Sequence, residues 1–203
     1  MPGAGAEDLA HRVIAGVLLA AGQATRYGRP KLLERFRGES LLRRAAHTFS
    51  EAGCSPLVVV LPPSLDLRGE LDGIPALLTE NPHPERGLAR SIALGLEALP
   101  EQTQAVLIGV ADQPLLDAAA VRTLIQAFRP GRIVAPRYGT VAGNPRIYDR
   151  RFFSELRRLS GDRGAQVLAL RHPDAVDEVP LPARYGLDID TPQDWSGLDE
   201  RPP

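Results

Sequence analysis

The chain has 203 residues, 43% of them apolar and 24% charged, which excludes a wholly disordered chain and is enough to bury a core without staples. Lysine and arginine together number 24 against 25 acidic residues, a formal net charge of -1, so no overall field draws the chain to nucleic acid or to an anionic membrane. A single cysteine, Cys54, excludes an internal disulfide and a cysteine-built zinc site, and it suits a reducing, cytoplasmic location. Lys31 is the sole lysine among the 24 basic residues. A compact ammonium and a planar guanidinium do different work where geometry matters, so this lysine is either a chance surface residue or one whose shape is required.

Residues 1–11 and 197–203 are rich in glycine, proline and charge and are expected to be flexible tails around one domain spanning 12–196. The run VIAGVLLAA over 13–21 has the apolar length of a signal-peptide core, but Glu7 and Asp8 precede it and a buried first strand over 13–19 is the better reading. No run approaches the roughly 20 apolar residues that would cross a bilayer. Apolar spacing predicts a helix over 40–52 stopped by Gly53, then a strand over 57–61 ended by Pro62-Pro63. A weaker strand follows over 76–79. Leu88, Ile92, Leu96 and Leu99 share one helical face, and AVLIGV over 105–110 is a buried strand. Asp117 is placed to cap a helix running to Phe128. The rest reads as a strand over 132–135, an edge strand over 145–148, and helices over 149–159 and 164–170. Strands alternating with helices, without a run of hairpins, predict an α/β three-layer sandwich around a mostly parallel central sheet.

In such a sheet ligands bind at the carboxyl ends of the strands. The first of these ends reads Leu19-Ala20-Ala21-Gly22-Gln23-Ala24-Thr25-Arg26-Tyr27-Gly28-Arg29-Pro30-Lys31. Small residues allow close approach of a ligand, successive amides cradle phosphate oxygens, and Arg26 and Lys31 add two cations. The loop is neither a Walker A motif nor a dinucleotide fingerprint. Its two glycines are wrongly spaced for the first, Lys31 is followed by Leu32, and nothing after Gly22 fits G-x-G-x-x-G. A phosphate site of another kind is favoured over an ordinary charged turn.

Two further strand ends carry acids. Asp112-Gln113-Pro114 follows the strand over 105–110, where a carboxylate either holds a metal ion beside phosphates or caps a turn. Late in the chain, Asp188-Ile189-Asp190-Thr191-Pro192 supplies two more, although Asp190 or Thr191 also suits a helix cap before Pro192. Carboxylates from separate strand ends, with one lysine and one arginine, suit a metal-and-phosphate centre. The four histidines are dispersed and predict no zinc. Cys54 reads as a buried small hydrophobe, Phe152 and Phe153 as core, and the pairs Arg150-Arg151 and Arg157-Arg158 as a solvated face.

With these segments placed, the chain resembles the molybdenum cofactor nucleotidylyltransferases, most closely their cytidylyltransferase branch. LAAGQATRYGRPK is similar to the family's L-A-A-G-x-x-x-R-x-G-x-P-K, with Tyr27 where methionine is usual. The segment from Gly87 to Gly95 resembles its G-x-x-x-S-I/L-x-x-G, Asp112-Gln113-Pro114 its D-x-P, Gly161 to Ala165 its G-D-x-G-A, and Asp188 to Asp194 its closing D-I-D-T-P-x-D. The resemblance spans about 13–195 and implies a Rossmann-like nucleotidyltransferase fold that transfers a cytidylyl group from CTP to the phosphate of molybdopterin, releasing pyrophosphate.

Carried over residue by residue, Leu19, Ala20, Ala21 and Gly22 meet the nucleotide, Arg26 and Lys31 neutralise its phosphates, and Ser91 helps hold the cytosine. Asp112 and Asp190 bind Mg²⁺, with Asp188 an alternative to Asp190. Asn144 and Asp162 lie on the acceptor side. Ala21 stands where the guanylyl branch has glycine, and its methyl is expected to narrow the space above the loop in favour of a pyrimidine. Asn144 replaces the family's usual histidine, and Gln166 follows Ala165 where arginine is common. A xanthine-dehydrogenase-type enzyme is the expected client. The competing readings are cytidylyl or uridylyl transfer to a sugar or polyol phosphate, and a non-catalytic carrier of the cofactor.

Overall fold

The computed structural model describes residues 13–22, 27–63 and 66–198. The first strand, β1 (Ala15–Leu19), is followed by a short hairpin of β2 (Arg35–Phe36) and β3 (Glu39–Ser40) and by helix α1 (Leu41–Glu51). Then come β4 (Leu57–Leu61), β5 (Leu77–Glu80), α2 (Leu88–Glu97), β6 (Ala105–Val110) and α3 (Ala118–Ala127). The last third holds β7 (Ile133–Tyr138), β8 (Val141–Ala142), β9 (Arg146–Asp149), α4 (Phe153–Arg157), α5 (Gln166–Arg171) and β10 (Val176–Leu181). Three predicted helix starts are held as their side chains suggest. Ser40 accepts from the amide of Arg43, Asp117 accepts from Ala120, and Thr191 opens a capping box with Asp194 ahead of Pro192.

The central sheet runs β10-β7-β9-β6-β1-β4-β5, with β8 paired to β7. Along that path only β9 is antiparallel to its neighbours. Alternate residues of β1 face opposite layers, as a period of two requires. Leu18 joins Leu42, Phe49, Val121 and Leu124, on the face covered by α1 and α3. Val17 joins Ile92, Leu96, Leu156 and Leu168, on the face covered by α2, α4 and α5. The predicted α/β three-layer sandwich is therefore the one observed. Helix α2 lies close on the sheet because Gly95 has no side chain; a Cβ there would fall 2.4 Å from a Val17 methyl.

Three expectations are corrected, and some strands were not foreseen. The strand expected at an edge, β9, sits in the interior of the sheet between β6 and β7, with Ile147 and Tyr148 fully buried. Strands β2, β3, β8 and β10 had no counterpart in the sequence reading. The helix expected over 149–159 begins as a 3-10 turn over Arg150–Phe152 and becomes α-helical only at Phe153. The helix expected over 164–170 starts at Gln166. Among the described residues no helix is long and apolar enough to cross a membrane.

Candidate active site

Three chain segments meet at the carboxyl edge of the sheet beyond β1 and β6. Behind Gly28 and Pro30, Lys31 opens a 3-10 turn (Lys31–Leu33) whose Leu32 is buried, so the backbone that carries the ammonium is anchored. Tyr27 is buried as well. Its hydroxyl accepts from the indole N–H of Trp195 at 2.7 Å, within a satellite core of Tyr27, Phe36, Leu41, Ile189, Trp195 and Leu198. That cluster welds the loop after β1 to the chain's last described turn. The amide of Ile189 then donates to the carbonyl of Asp112 at 2.9 Å, which ties the same late segment to the end of β6.

These anchors bring three of the nominated side chains together. The ammonium of Lys31 donates to Asp112 Oδ2 at 2.7 Å, to the carbonyl of Ile189 at 2.9 Å and to Asp190 Oδ1 at 3.3 Å. Asp194 holds Asp190 in place by accepting from its amide and from that of Thr191. Asp188 projects near the same group. Burial, followed by the charges of Asp112 and Asp190, pushes its carboxyl up to about 6, against the opposing pull of a Gln113 hydrogen bond and Lys31. Two buried oxygens in this edge, Asp112 Oδ1 and Gln113 Oε1, have no hydrogen-bond partner.

That donor set fits a divalent cation bound together with a nucleotide. Two carboxylates converge on one cation, and the free Oδ1 of Asp112 is a ligand oxygen held in place and unused. Among the described residues no group of three or more histidine, cysteine or acidic side chains is disposed to hold a metal alone. One or two carboxylates completed by phosphate oxygens and water is the usual arrangement for Mg²⁺.

The other nominated residues lie around this centre. Leu19, Ala20 and Ala21 are buried at the end of β1, and Gly22 is exposed. Ala21 packs in the cluster that holds Val17, Val60 and Ile92, so its methyl is turned into the core and does not narrow the space above the loop. The expected narrowing in favour of a pyrimidine therefore does not come from that methyl. Arg26 lies outside the described residues. Ser91 is buried on α2 and its hydroxyl accepts from the side-chain amide of Asn81 at 3.0 Å. Exposed Asp162 lies against the start of α2. Gly87 there has φ +86° and ψ 179°, and a Cβ on it would fall 2.4 Å from the carbonyl carbon of Gly161 and 2.6 Å from Asp162 Oδ1. The amide of Ala89 donates to the carbonyl of Gly161, so the G-x-x-x-S and G-D-x-G-A segments dock backbone to backbone. The carbonyl of Asn144 accepts from the hydroxyl of Tyr138 at 2.7 Å. Burial raises the proton affinity of that phenol, and the nearby charge of Asp188 adds to the effect.

Sequence reasoning passed over Asn81, Gln113 and Tyr138. Asn81 is wholly buried, and besides holding Ser91 it accepts from the amide of His83 through its side-chain oxygen. An Asn-Pro pair directly after a strand was the available signal.

Over residues 16–176 the chain matches the family described as the MobA-like NTP transferase domain. It belongs to that family. Two curated relatives align along most of its length. Nicotine blue oxidoreductase of Paenarthrobacter nicotinovorans is 32% identical, covering 88% of this chain and 92% of the relative. A probable molybdenum cofactor guanylyltransferase of Chloroflexus aggregans is 30% identical, over 91% and 92%. Among solved structures, Rv0371c of Mycobacterium tuberculosis superposes with a TM-score of 0.79 at 31% identity, covering 92% of this chain and 97% of that one. Rv0371c has also been solved as a manganese complex, which superposes with a TM-score of 0.74 at 28% identity and the same coverage. The sheet and its helices form the Rossmann-like nucleotidyltransferase fold that the motifs implied.

Proposed function

We propose that residues 12–196 act as one nucleotidyltransferase domain that transfers a cytidylyl group from CTP to the terminal phosphate of molybdopterin. The observation that carries this reading is the convergence of Lys31, Asp112 and Asp190, three side chains from distant parts of the sequence, at one strand edge. In the step, an oxygen of the acceptor phosphate attacks the α-phosphorus of CTP. A new P–O bond forms, the bond to the bridging oxygen breaks, and pyrophosphate leaves with that electron pair. The attacking phosphate is largely ionised at neutral pH, so no side chain need remove a proton.

Each residue then has a task. The amides of Ala20 to Gly22 bind the nucleotide, and Arg26 and Lys31 stabilise the charge that builds on the phosphates. Asn81 holds Ser91, which faces the base, and Asn144 and Asp162 face the acceptor. Asp112 and Asp190 would hold Mg²⁺, whose charge reduces the repulsion between the incoming phosphate and the triphosphate.

Support for CTP comes from the motif resemblance, and support for the pterin acceptor from the guanylyltransferase relative and the same motifs. Pyrophosphate release tests both. It is measured with CTP, GTP, ATP and UTP, each paired with molybdopterin or with a panel of sugar and polyol phosphates. Release with CTP and molybdopterin is the expected result. Preference for GTP overturns the base assignment, and release only with a sugar or polyol phosphate overturns the acceptor. Nucleotide binding without turnover, together with stable capture by a hydroxylase client of the xanthine-dehydrogenase type, favours a carrier. A second reading, an oxidoreductase, is favoured by the relative from Paenarthrobacter nicotinovorans. Redox turnover of nicotine blue, in the absence of pyrophosphate release, would select it.

A further inference from the structure

An ammonium has three N–H donors. Those of Lys31 go to Asp112, the Ile189 carbonyl and Asp190, and this leaves none for a phosphate. The same two carboxylates are the ones placed to hold the divalent cation. An ammonium on Asp112 Oδ2 and Asp190 Oδ1 weakens the hold of the same carboxylates on a dication, because the two positive charges repel at short range. Yet the ammonium satisfies Asp112 incompletely, since Oδ1 stays buried and unpartnered. Lys31 therefore competes with a metal ion for these carboxylates without taking the one oxygen left open.

We propose that Lys31 is a placeholder cation. In the nucleotide-free protein its ammonium neutralises Asp112 and Asp190; when the metal ion arrives with the triphosphate, the ammonium leaves those carboxylates and moves to the phosphates. The proposal rests on the nucleotidyl-transfer reading but concerns the free protein. It gives an order to binding. Free metal must evict Lys31 with no new anion to receive it, whereas the metal–nucleotide brings both the replacement charge and the new acceptors. It also gives a reason for lysine in a chain that otherwise uses arginine, because a wide planar fork cannot occupy the space of a single ion or swing on so compact a head.

Having one lysine makes the test direct, since [ζ-¹⁵N]lysine labels this ammonium alone. The expected result is one protected ¹⁵Nζ signal that is unmoved by millimolar Mg²⁺ and shifts on adding Mg²⁺ with CTP. A shift with Mg²⁺ alone overturns the proposal. So does a signal that stays still while backbone amides over 20–22 respond to Mg²⁺ and CTP, and in that case nucleotide binding stands and only the exchange falls. No response anywhere to any nucleoside triphosphate overturns both readings. As a second measurement, Mn²⁺ binding followed by electron paramagnetic resonance without nucleotide should be about tenfold tighter in Lys31→Met than in the wild type. Equal affinity contradicts the placeholder. If the variant does not fold, the labelled wild-type protein decides alone.

Discussion

Two ion-pair clusters in this molecule are built in opposite ways. Between β7 and β10, Asp177 has both oxygens taken. Oδ1 accepts from Arg132 at 2.7 Å, and Oδ2 accepts from Arg132 at 3.1 Å and Arg129 at 3.0 Å. Arg132 spends a further donor on the carbonyl of Asp174. The pairing is bidentate and saturated, and the guanidinium of Arg132 holds the Asp177 carboxyl below its ordinary range. At the carboxyl edge, Asp112, Asp188 and Asp190 crowd around Lys31, two buried oxygens lack partners, and Asp188 is pushed upward. Charge that fastens the sheet is closed on itself. Charge at the candidate site is arranged for something still to arrive.

The contrast predicts opposite costs. Breaking the crowded cluster should cost rate with little stability, and breaking the saturated one should cost stability with little rate. Lys31→Ala should lower transfer at saturating CTP and Mg²⁺ by about 10²–10³, and Lys31→Arg nearly as much. Wild-type turnover in Lys31→Arg would reduce the lone lysine to an accident of composition.

The backbone around the site comes next. Gly87→Ala forces a side chain into a conformation that only glycine adopts easily and against Gly161, at about 1–3 kcal/mol. Denaturant midpoints should fall, and KM for the nucleotide should rise more than kcat drops. Tyr27→Phe strands the buried indole N–H of Trp195 and should cost about 1–2 kcal/mol in the same unfolding experiment.

The smallest effect is the saturated pair's. Asp177 is ionised more easily in the folded chain than in the unfolded one, so its contribution is present in full above the ordinary value of 3.8 and is lost as pH falls through the lower folded value. Arg132→Ala should therefore lower the melting temperature at neutral pH, and the two proteins should converge in acid. A difference that persists unchanged at low pH would show that Arg132 acts through packing.

What could be read from the sequence follows from where the information sits. Strands β4 and β6 are continuous apolar runs, and Asp117 and Thr191 are caps spelled locally, so these features were legible. Strand β9 was misplaced because Pro145 and Arg146 look like an edge, whereas its burial comes from pairing with β6 and β7, which no local pattern contains. Strand β10 carries Asp177, Glu178 and Pro180, poor strand residues that are tolerated at the end of a sheet. At the site, strand-end logic and the motifs nominated Lys31, Asp112 and Asp190. They did not reveal that the lysine turns onto the carboxylates, because that contact spans 81 residues in one case and 159 in the other. The methyl of Ala21 is a parallel case. A motif does not say which side of the chain a small residue faces; membership of the buried cluster with Val17, Val60 and Ile92 does.

If this edge carries out nucleotidyl transfer, Asp112 is the side chain whose charge the reaction needs. Label from [α-³²P]CTP should pass to the molybdopterin acceptor in wild-type protein under single-turnover conditions with Mg²⁺. In Asp112→Asn, whose side chain keeps the shape and loses the charge, transfer should fall by at least about 10²-fold while the melting temperature holds within a few degrees. A folded Asp112→Asn protein that transfers label at the wild-type rate would contradict the account and place the chemistry elsewhere.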